Sequence, residues 1–186
     1  MTEARTAADL ISFLRSLRAV RRFRPDPVPQ EVVDDILEVA RWSGSASNRQ
    51  PWDLVVIRDR ETLGALARLE GYAGHLAGAP LAIVLVMAGE RATQETYDEG
   101  RLAERVMLAA WAHGVGSSIG WLVGEGRAAA KEILGIPESR TVRTVISLGY
   151  PAAGARRIRT GPARKPLSEI VHEERYGRRA TSPPRA

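Results

Sequence analysis

The chain contains no cysteine among its 186 residues. Disulfide bonds, thiolate metal sites and a cysteine nucleophile are therefore excluded. No apolar run reaches the roughly 20 residues of a membrane-spanning helix, and the first ten residues lack the apolar core of a signal peptide. We therefore expect a soluble cytoplasmic protein with no membrane partner. Its hydrophobic fraction of 44% is enough to form the core of one domain.

Lysine is also scarce, because Lys131 and Lys165 are the only two, and the net charge of +5 comes almost wholly from arginine. The arginines are interleaved with acids, and no nucleic-acid recognition motif accompanies them. Nucleic acid is therefore not expected as a partner. A basic nucleic-acid-binding dimer stays as an alternative, and its binding would depend strongly on salt. Residues 1–177 are predicted to form the domain, and the Arg- and Pro-rich residues 178–186 a flexible basic C-terminal tail.

Several catalytic motifs are absent or out of context. Residues 116–120 match GxSxG, but a helix is predicted before this serine where the nucleophile elbow needs a strand. Neither a GxGxxG fingerprint nor a Walker sequence occurs. His75, His113 and His172 are isolated from one another, so no metal site is predicted. No catalytic side chain is assigned, and a chemistry carried by a bound cofactor is favoured.

Hydrophobic periodicity predicts helices and strands in alternation, which is typical of an α+β (α/β layered) domain. Helices are predicted at residues 6–17, 29–42, 61–69, 95–113 and 127–134, and a short one within 71–80. Strands are predicted at 54–57, 81–87, 142–148 and within 114–123.

Three of these elements carry specific expectations. Residues 81–87, LAIVLVM, are apolar throughout and are predicted to form the central strand, and residues 54–57 are predicted to form a second buried strand. The second half of the helix at 95–113 is apolar on nearly all sides. That pattern predicts a core helix that a second subunit also covers. Gly114 is predicted to cap its C-terminus.

Two segments stand out as candidate binding elements. Residues 43–52 read SGSASNRQPW, in which small side chains would let the backbone approach a flat ligand. The amides of Asn48 and Gln50 can pair with a heterocycle edge, and Pro51 forces Gln50 out of the right-handed helical region. Residues 17–28 crowd four arginines together, and the planar guanidinium is suited to holding a phosphate. A Ser/Gly connector and a solvated turn are the structural alternatives.

The motifs in this order resemble the nitroreductase family of FMN-dependent oxidoreductases. They are LRAVRRF at residues 17–23, GSASNRQPW at 44–52, HGVGSSIGW at 113–121, and ISLGYP at 146–151 followed by ARKPLSEIVHEERYG at 163–177. The resemblance implies a central mixed sheet flanked by helices, and an intertwined homodimer with flavin sites at the subunit interface.

The resemblance also implies which residues bind the FMN phosphate. Residues 18–21 would contribute Arg18, Ala19 and Arg21, with the two arginines at the phosphate and ribityl end. Arg164 and Lys165 would reach the same phosphate from the C-terminal segment. The family's usual arginine and serine in the first motif are Leu17 and Ala19 here. The resemblance therefore implies two fewer side-chain contacts to the phosphate, with either a lower affinity for FMN or compensation by Arg22.

For the flavin ring, the resemblance implies that Ser118, Ile119, Gly120 and Trp121 pass over it and offer backbone amides to its reactive nitrogen. His75 falls where the family often has a basic residue near the pyrimidine carbonyl, and a positive charge there would stabilise the reduced flavin. Gly44, Ser45 and Asn48 would touch the flavin held mainly by the other subunit.

The implied activity is ping-pong transfer of hydride from NADH or NADPH through FMN to an electron-poor acceptor, such as a nitroaromatic or a quinone. No catalytic side chain is named. Trp42, Tyr72, Trp111 and Trp121 are candidates for stacking on this small aromatic substrate, with core packing as the alternative, favoured for Trp111. Reductive dehalogenation, flavin fragmentation, deazaflavin binding and non-catalytic flavin binding stay open as other functions.

Overall fold

The computed structural model describes residues 6–155 and 164–179. The chain divides into two compact units, Met1–Arg156 and Arg157–Ala186, which are described separately. The first unit contains helices α1 Ala7–Ser16, α2 Gln30–Arg41, α3 Arg60–Ala67, α4 Ala92–Ala112 and α5 Gly124–Leu134. Its strands are β1 Trp52–Ile57, β2 Leu81–Met87, β3 Gly116–Trp121 and β4 Thr141–Gly149. Two 3-10 turns, Ala46–Asn48 and Gly74–Gly78, complete it.

The predicted order of helices and strands is confirmed, and the fold is α+β as expected. The four strands form one sheet in the order β1-β2-β4-β3. All of these pairings are antiparallel in the part of the chain that the structure describes, so the expected mixed sheet is not seen there.

β2 and β1 differ in burial although both are apolar. All seven residues of β2 are buried, which confirms it as the inner strand. β1 lies at the edge of the sheet, and only Ile57 is buried in it. The prediction of a buried strand at residues 54–57 is therefore right about the strand and wrong about its burial, because strand order is set by non-local pairing.

Helices cover both faces of the sheet. One face carries the α2–α4 core, which includes Ile36, Ile83, Leu102 and Ile146. The other face carries α3, the Gly74–Gly78 turn and α5. The pattern of apolar residues in α2 predicts this arrangement, since Val33, Ile36 and Ala40 are its buried residues.

β4 contains a bulge that re-aims one side chain. Leu85 pairs with Thr144 and Val86 pairs with Val142, so Arg143 has no partner on β2. A bulge of this kind turns two successive side chains toward one face of the sheet. Arg143 thereby reaches α4, where its Nη2 donates to Thr96 Oγ1 at 3.0 Å.

The first half of α4 buries acidic side chains that the sequence did not single out. The Glu95 carboxylate accepts the backbone N–H groups of Gly89, Glu90 and Arg91 at 2.8–2.9 Å. Burial alone would raise the pKa of Glu95, but these bonds and the charge of Arg143 bring it below its usual 4.5. The carboxylate therefore fixes the turn that leads into α4.

α1 is confirmed as a helix, with Thr6 and Asp9 forming a capping box at its N-terminus. None of its residues is buried, and Leu10, Ile11 and Leu14 stand about half exposed on one face. This apolar face has no counterpart among the described residues of the first unit.

The second unit is small. The helix expected after Pro166 spans only Leu167–Ile170 (α6). A turn follows, in which the Gly177 N–H donates to His172 Nδ1 at 2.8 Å and the Glu173 N–H donates to the Arg178 carbonyl at 2.8 Å. The rings of His172 and Tyr176 stack with centroids 4.4 Å apart. Arg178, expected to begin the tail, is thus part of this turn.

Candidate functional site

β3 has an outer edge that is closed at both ends and open in the middle. At one end the Val20 N–H donates to the Ser117 carbonyl at 2.8 Å, and at the other the Tyr72 N–H donates to the Trp121 carbonyl at 2.7 Å. Backbone groups alternate in direction along an antiparallel strand. The N–H and C=O of Ile119 therefore point to the same edge, between these two bonds. The amides of Ser118 and Gly120 point toward β4 instead.

His75 lies beside this opening. Both of its ring nitrogens are shut off from solvent and have no hydrogen-bond partner of good geometry in the described residues. Burial lowers the pKa of His75 below 6.5, the charge of Arg21 lowers it further, and the backbone of Ile119 opposes the shift. Burial therefore favours the neutral form of the His75 ring, which offers one N–H. The positive charge that the resemblance implied at this position stays a prediction.

The arginine segment runs along the same edge. Val20 is fully buried, and its side chain fits only because Gly116 has none: a Cβ at Gly116 would lie 2.8 Å from it. Arg18 is exposed and donates to the carbonyls of Arg15 and Leu17 at the end of α1. Arg21 is exposed too, and neither guanidinium pairs with a carboxylate in the part of the chain that the structure describes. No carboxylate of residues 6–155 and 164–179 therefore offsets these two positive charges through an ion pair.

The loop at residues 43–52 has an unusual backbone conformation. Ser47, Asn48 and Gln50 all have φ near +53°, a region that non-glycine residues seldom adopt. The φ of Gln50 confirms that it lies outside the right-handed helical region. Its N–H donates to Ser45 Oγ at 2.8 Å. Such strain persists only where the surroundings over-determine it, and it is frequent at binding sites.

Two residues of α4 anchor this loop, and neither was predicted. The buried carboxylate of Asp98 accepts the Ala46 N–H at 3.1 Å. The guanidinium of Arg101 lies against Gly44, where a Cβ would be 2.1 Å from its Nη2. A side chain at position 44 would therefore displace the end of the Arg101 side chain. Both residues belong to the half of α4 that carries no apolar pattern, so periodicity could not indicate them.

Aromatic side chains flank the opening on β3. Trp121 is 37% exposed and Ile119 is 42% exposed, and Tyr72, bonded to Trp121 through the backbone, is 78% exposed. The Arg127 guanidinium lies 5.8 Å from the centre of the Trp121 ring, and its Nε donates to the Leu122 carbonyl. This wall is apolar and aromatic with one cation beside it, which suits a flat ligand.

The remaining predicted residues are not brought to this opening by the described contacts. Trp42 is exposed, and its Nε1 donates to Glu38. Trp111 is half-buried and, with Arg18 and Ala19, lines a cavity of about 130 Å³ against α4. Arg164 and Lys165 are exposed residues of the second unit.

Comparison with known proteins identifies the family of this chain. The family model described as nitroreductase family matches residues 14–74. A candidate NADH dehydrogenase/NAD(P)H nitroreductase of Archaeoglobus fulgidus is 34% identical over 152 residues, which cover 77% of this chain and 86% of that protein. An NADH dehydrogenase of Thermus thermophilus is 31% identical over 172 residues, covering 73% and 83%.

A solved structure is similar over almost the whole fold. The FMN-dependent nitroreductase of Clostridium difficile superposes with a TM-score of 0.79 at 26% identity, covering 89% of this chain and 99% of that one. The matched residues 14–74 include the arginine segment, the strained loop and Tyr72. The resemblance noted from the motifs is confirmed, and the chain belongs to the nitroreductase family.

Proposed function

We propose that this chain is an FMN-dependent oxidoreductase that takes hydride from NADH or NADPH and reduces electron-poor aromatic acceptors, nitroaromatics and quinones among them. Membership of the family supports the class of enzyme. The observation that carries the proposal is the opening on β3, where the Ile119 backbone points to the outer edge and the His75 ring lies beside it. A cytoplasmic location remains our expectation from the sequence.

The donors around this opening fit a flavin. A buried ring nitrogen that makes no well-formed hydrogen bond costs about 1–3 kcal/mol, and a ring carbonyl of the ligand would accept the N–H of His75. The Ile119 N–H would donate to the flavin ring, and Arg18 and Arg21 would bind the phosphate. Bound FMN would supply the two-electron chemistry, accepting hydride from NAD(P)H and passing electrons to the acceptor in alternation.

The protein's part in turnover would be to position both substrates and to stabilise charge. The fixed amide of Ile119 and the neutral N–H of His75 donate without reorganising, which is what electrostatic preorganisation requires. Tyr72 and Trp121 would stack on the nicotinamide and then on the acceptor, because one wall can serve both in a ping-pong reaction. No side chain is assigned as a proton donor.

We also propose that the active form is a homodimer. The half-exposed Leu10, Ile11 and Leu14 of α1 support this proposal, since an apolar face of this kind is normally covered. Gly44, Ser45 and Asn48 would then contact the flavin of the partner subunit. Arg164 and Lys165 would add to the phosphate site, a role that rests on the family resemblance.

The proposal is tested by the absorbance spectrum of the purified protein, before and after anaerobic addition of NADH or NADPH. Flavin bands that bleach on addition, and return when a nitroaromatic or a quinone is added, would support the full reaction. Bands that do not bleach would point to another chemistry or to flavin storage. A protein that carries no flavin and takes up no added FMN would contradict the proposal.

A further inference from the structure

A second cavity of about 460 Å³ lies at the end of the sheet, apart from the opening on β3. We call it the proline groove. Its lining includes Phe23, Pro25, Pro27, Pro80, Arg58 and Arg60. None of Arg18, Arg21, His75 and Ile119 belongs to this lining. The volume falls within the 300–1,000 Å³ that is usual for small-molecule sites.

Both arginines of the groove are held in fixed orientations. Arg58 donates from Nη1 to the Val28 carbonyl at 2.9 Å and from Nη2 to Gln30 Oε1 at 3.0 Å. Arg60 donates from Nη1 and Nη2 to the carbonyls of Ala79 and Ala77 at 2.6 and 2.7 Å. A guanidinium oriented in advance loses less entropy when it binds an anion.

The charge of these arginines is not neutralised. All four of their acceptors are neutral, and no carboxylate within residues 6–155 and 164–179 pairs with either side chain. Asp59 stands between them in sequence, but its carboxylate accepts the N–H and hydroxyl of Thr62 at 2.7 and 2.6 Å. Asp26 pairs with Arg24 at 3.3 Å. The nearby acids are thus engaged elsewhere.

Apart from Gly78, the rest of the lining is apolar and consists of one phenylalanine and three prolines. Phe23 is fixed beside Gly149, where an added Cβ would lie 3.0 Å from the Phe23 ring and 2.6 Å from Pro80. Phe23 also forms a backbone bridge with Pro151. A flat apolar body would pack on these rings, while an attached anionic group would reach the arginines.

We propose that the proline groove is a second binding site, and that it takes a small aromatic anion, with a carboxylate or a phosphate at Arg58 and Arg60. The two cations give specificity for the charge, and the phenylalanine and prolines contribute the apolar contact. The lining of the groove contains none of the residues proposed above to bind the flavin.

The probe is 2-naphthoate, titrated by calorimetry into the protein as purified, with 2-naphthamide as its neutral match. We expect 2-naphthoate to bind and 2-naphthamide to bind at least tenfold more weakly. Arg58→Gln and Arg60→Gln should each weaken the binding of 2-naphthoate at least tenfold, since each removes a charge-assisted hydrogen bond to the carboxylate. Arg68→Gln, at the exposed end of the same helix as Arg60, should leave its dissociation constant unchanged.

Arg58→Gln and Arg60→Gln are tested separately, and Arg60→Lys retains the charge, so at least one folded variant can decide the outcome. The proposal is overturned if 2-naphthoate does not bind. It is also overturned if the amide binds equally well, or if binding survives both glutamine substitutions, which would assign the ligand to the wall of Tyr72 and Trp121. A wild-type protein that NADH still bleaches but that does not bind 2-naphthoate would contradict this site and leave the proposed function standing.

Discussion

Arg143 of β4 and Glu99 of α4 form an ion pair with 2.5 Å between Nε and Oε2, and their side chains are only 13% and 4% exposed. The second carboxylate oxygen of Glu99 is buried and has no hydrogen-bond partner in the described residues. Arg143 also accepts the Leu122 N–H through its carbonyl at 2.8 Å, so the pair fixes the end of β3 that carries Trp121.

Removing one partner of this pair should be costly. Arg143→Met leaves the Glu99 carboxylate buried without a counter-charge, and we expect the free energy of unfolding to fall by about 3–5 kcal/mol. The double variant Arg143→Met with Glu99→Leu should recover most of this loss, because no charge is then left buried. Urea unfolding at a fixed protein concentration measures the free energy of unfolding of the single and the double variant. The exposed pair of Arg41 and Glu38 provides the control, and Arg41→Gln should leave the stability almost unchanged.

The amide of Ile119 can be removed without breaking the sheet. Ile119→Pro deletes an N–H that points to the open edge, where proline is tolerated, so the variant should fold. We expect bleaching by NADH to slow about 100-fold, the usual effect of losing one preorganised donor. Ile119→Val, which retains the N–H, should behave as the wild type. Ser118→Pro deletes an N–H directed at β4 and should lower the unfolding temperature. A wild-type bleaching rate in Ile119→Pro would show that this amide does not act on the flavin.

His75 should bind the flavin as a neutral donor. We expect His75→Leu to weaken FMN binding about tenfold and His75→Gln, which keeps an N–H, to weaken it less. Fluorescence titration with FMN measures both. Equal affinities in all three proteins would remove His75 from the site.

The lowered pKa of His75 also predicts a pH dependence of the flavin-free protein. The unfolded state takes up a proton below about pH 6.5, whereas the folded state does so only at lower pH. Stability should therefore fall as pH drops from about 6.5 through the folded pKa. The loss should be smaller in His75→Leu, and unfolding temperatures between pH 8 and 5 would measure the difference.

The exposed face of α1 should form part of a subunit interface. Ile11→Asp places a charge in the apolar stripe, and we expect the protein to elute as a monomer with reduced flavin content, because each flavin site would lack the partner's loop. Ser12→Asp adds the same charge on the opposite face of α1 and should leave the assembly intact. Light scattering and the ratio of flavin to protein absorbance measure the two effects. A wild-type protein that is monomeric with full flavin content would contradict the dimer.

Much of the fold could be predicted because local pattern and burial agree. The unbroken apolar run at residues 81–87 could only be a strand covered on both faces, and the spacing of Val33, Ile36 and Ala40 matches one helix face. Gly114, with φ of +72°, ends α4 where predicted. The opening on β3 could be predicted in outline, since the arginine segment, His75 and residues 118–121 were all singled out.

Other features depend on contacts between distant segments. Alternation along β4 would place Val142 and Val145 on opposite faces, yet both pack in the same core, because the bulge at Arg143 adds one residue to the strand. β1 is at the edge and β2 inside although both are apolar, because pairing decides strand order. Ile119 and Trp121 direct their amides to the outer edge, whereas Ser118 and Gly120 direct theirs to β4, because strand register sets these directions. The order of apolar and polar residues along the chain predicts the helices and strands. Strand register, the burial of His75 and the partner of each charged side chain depend on contacts between segments that are distant in sequence.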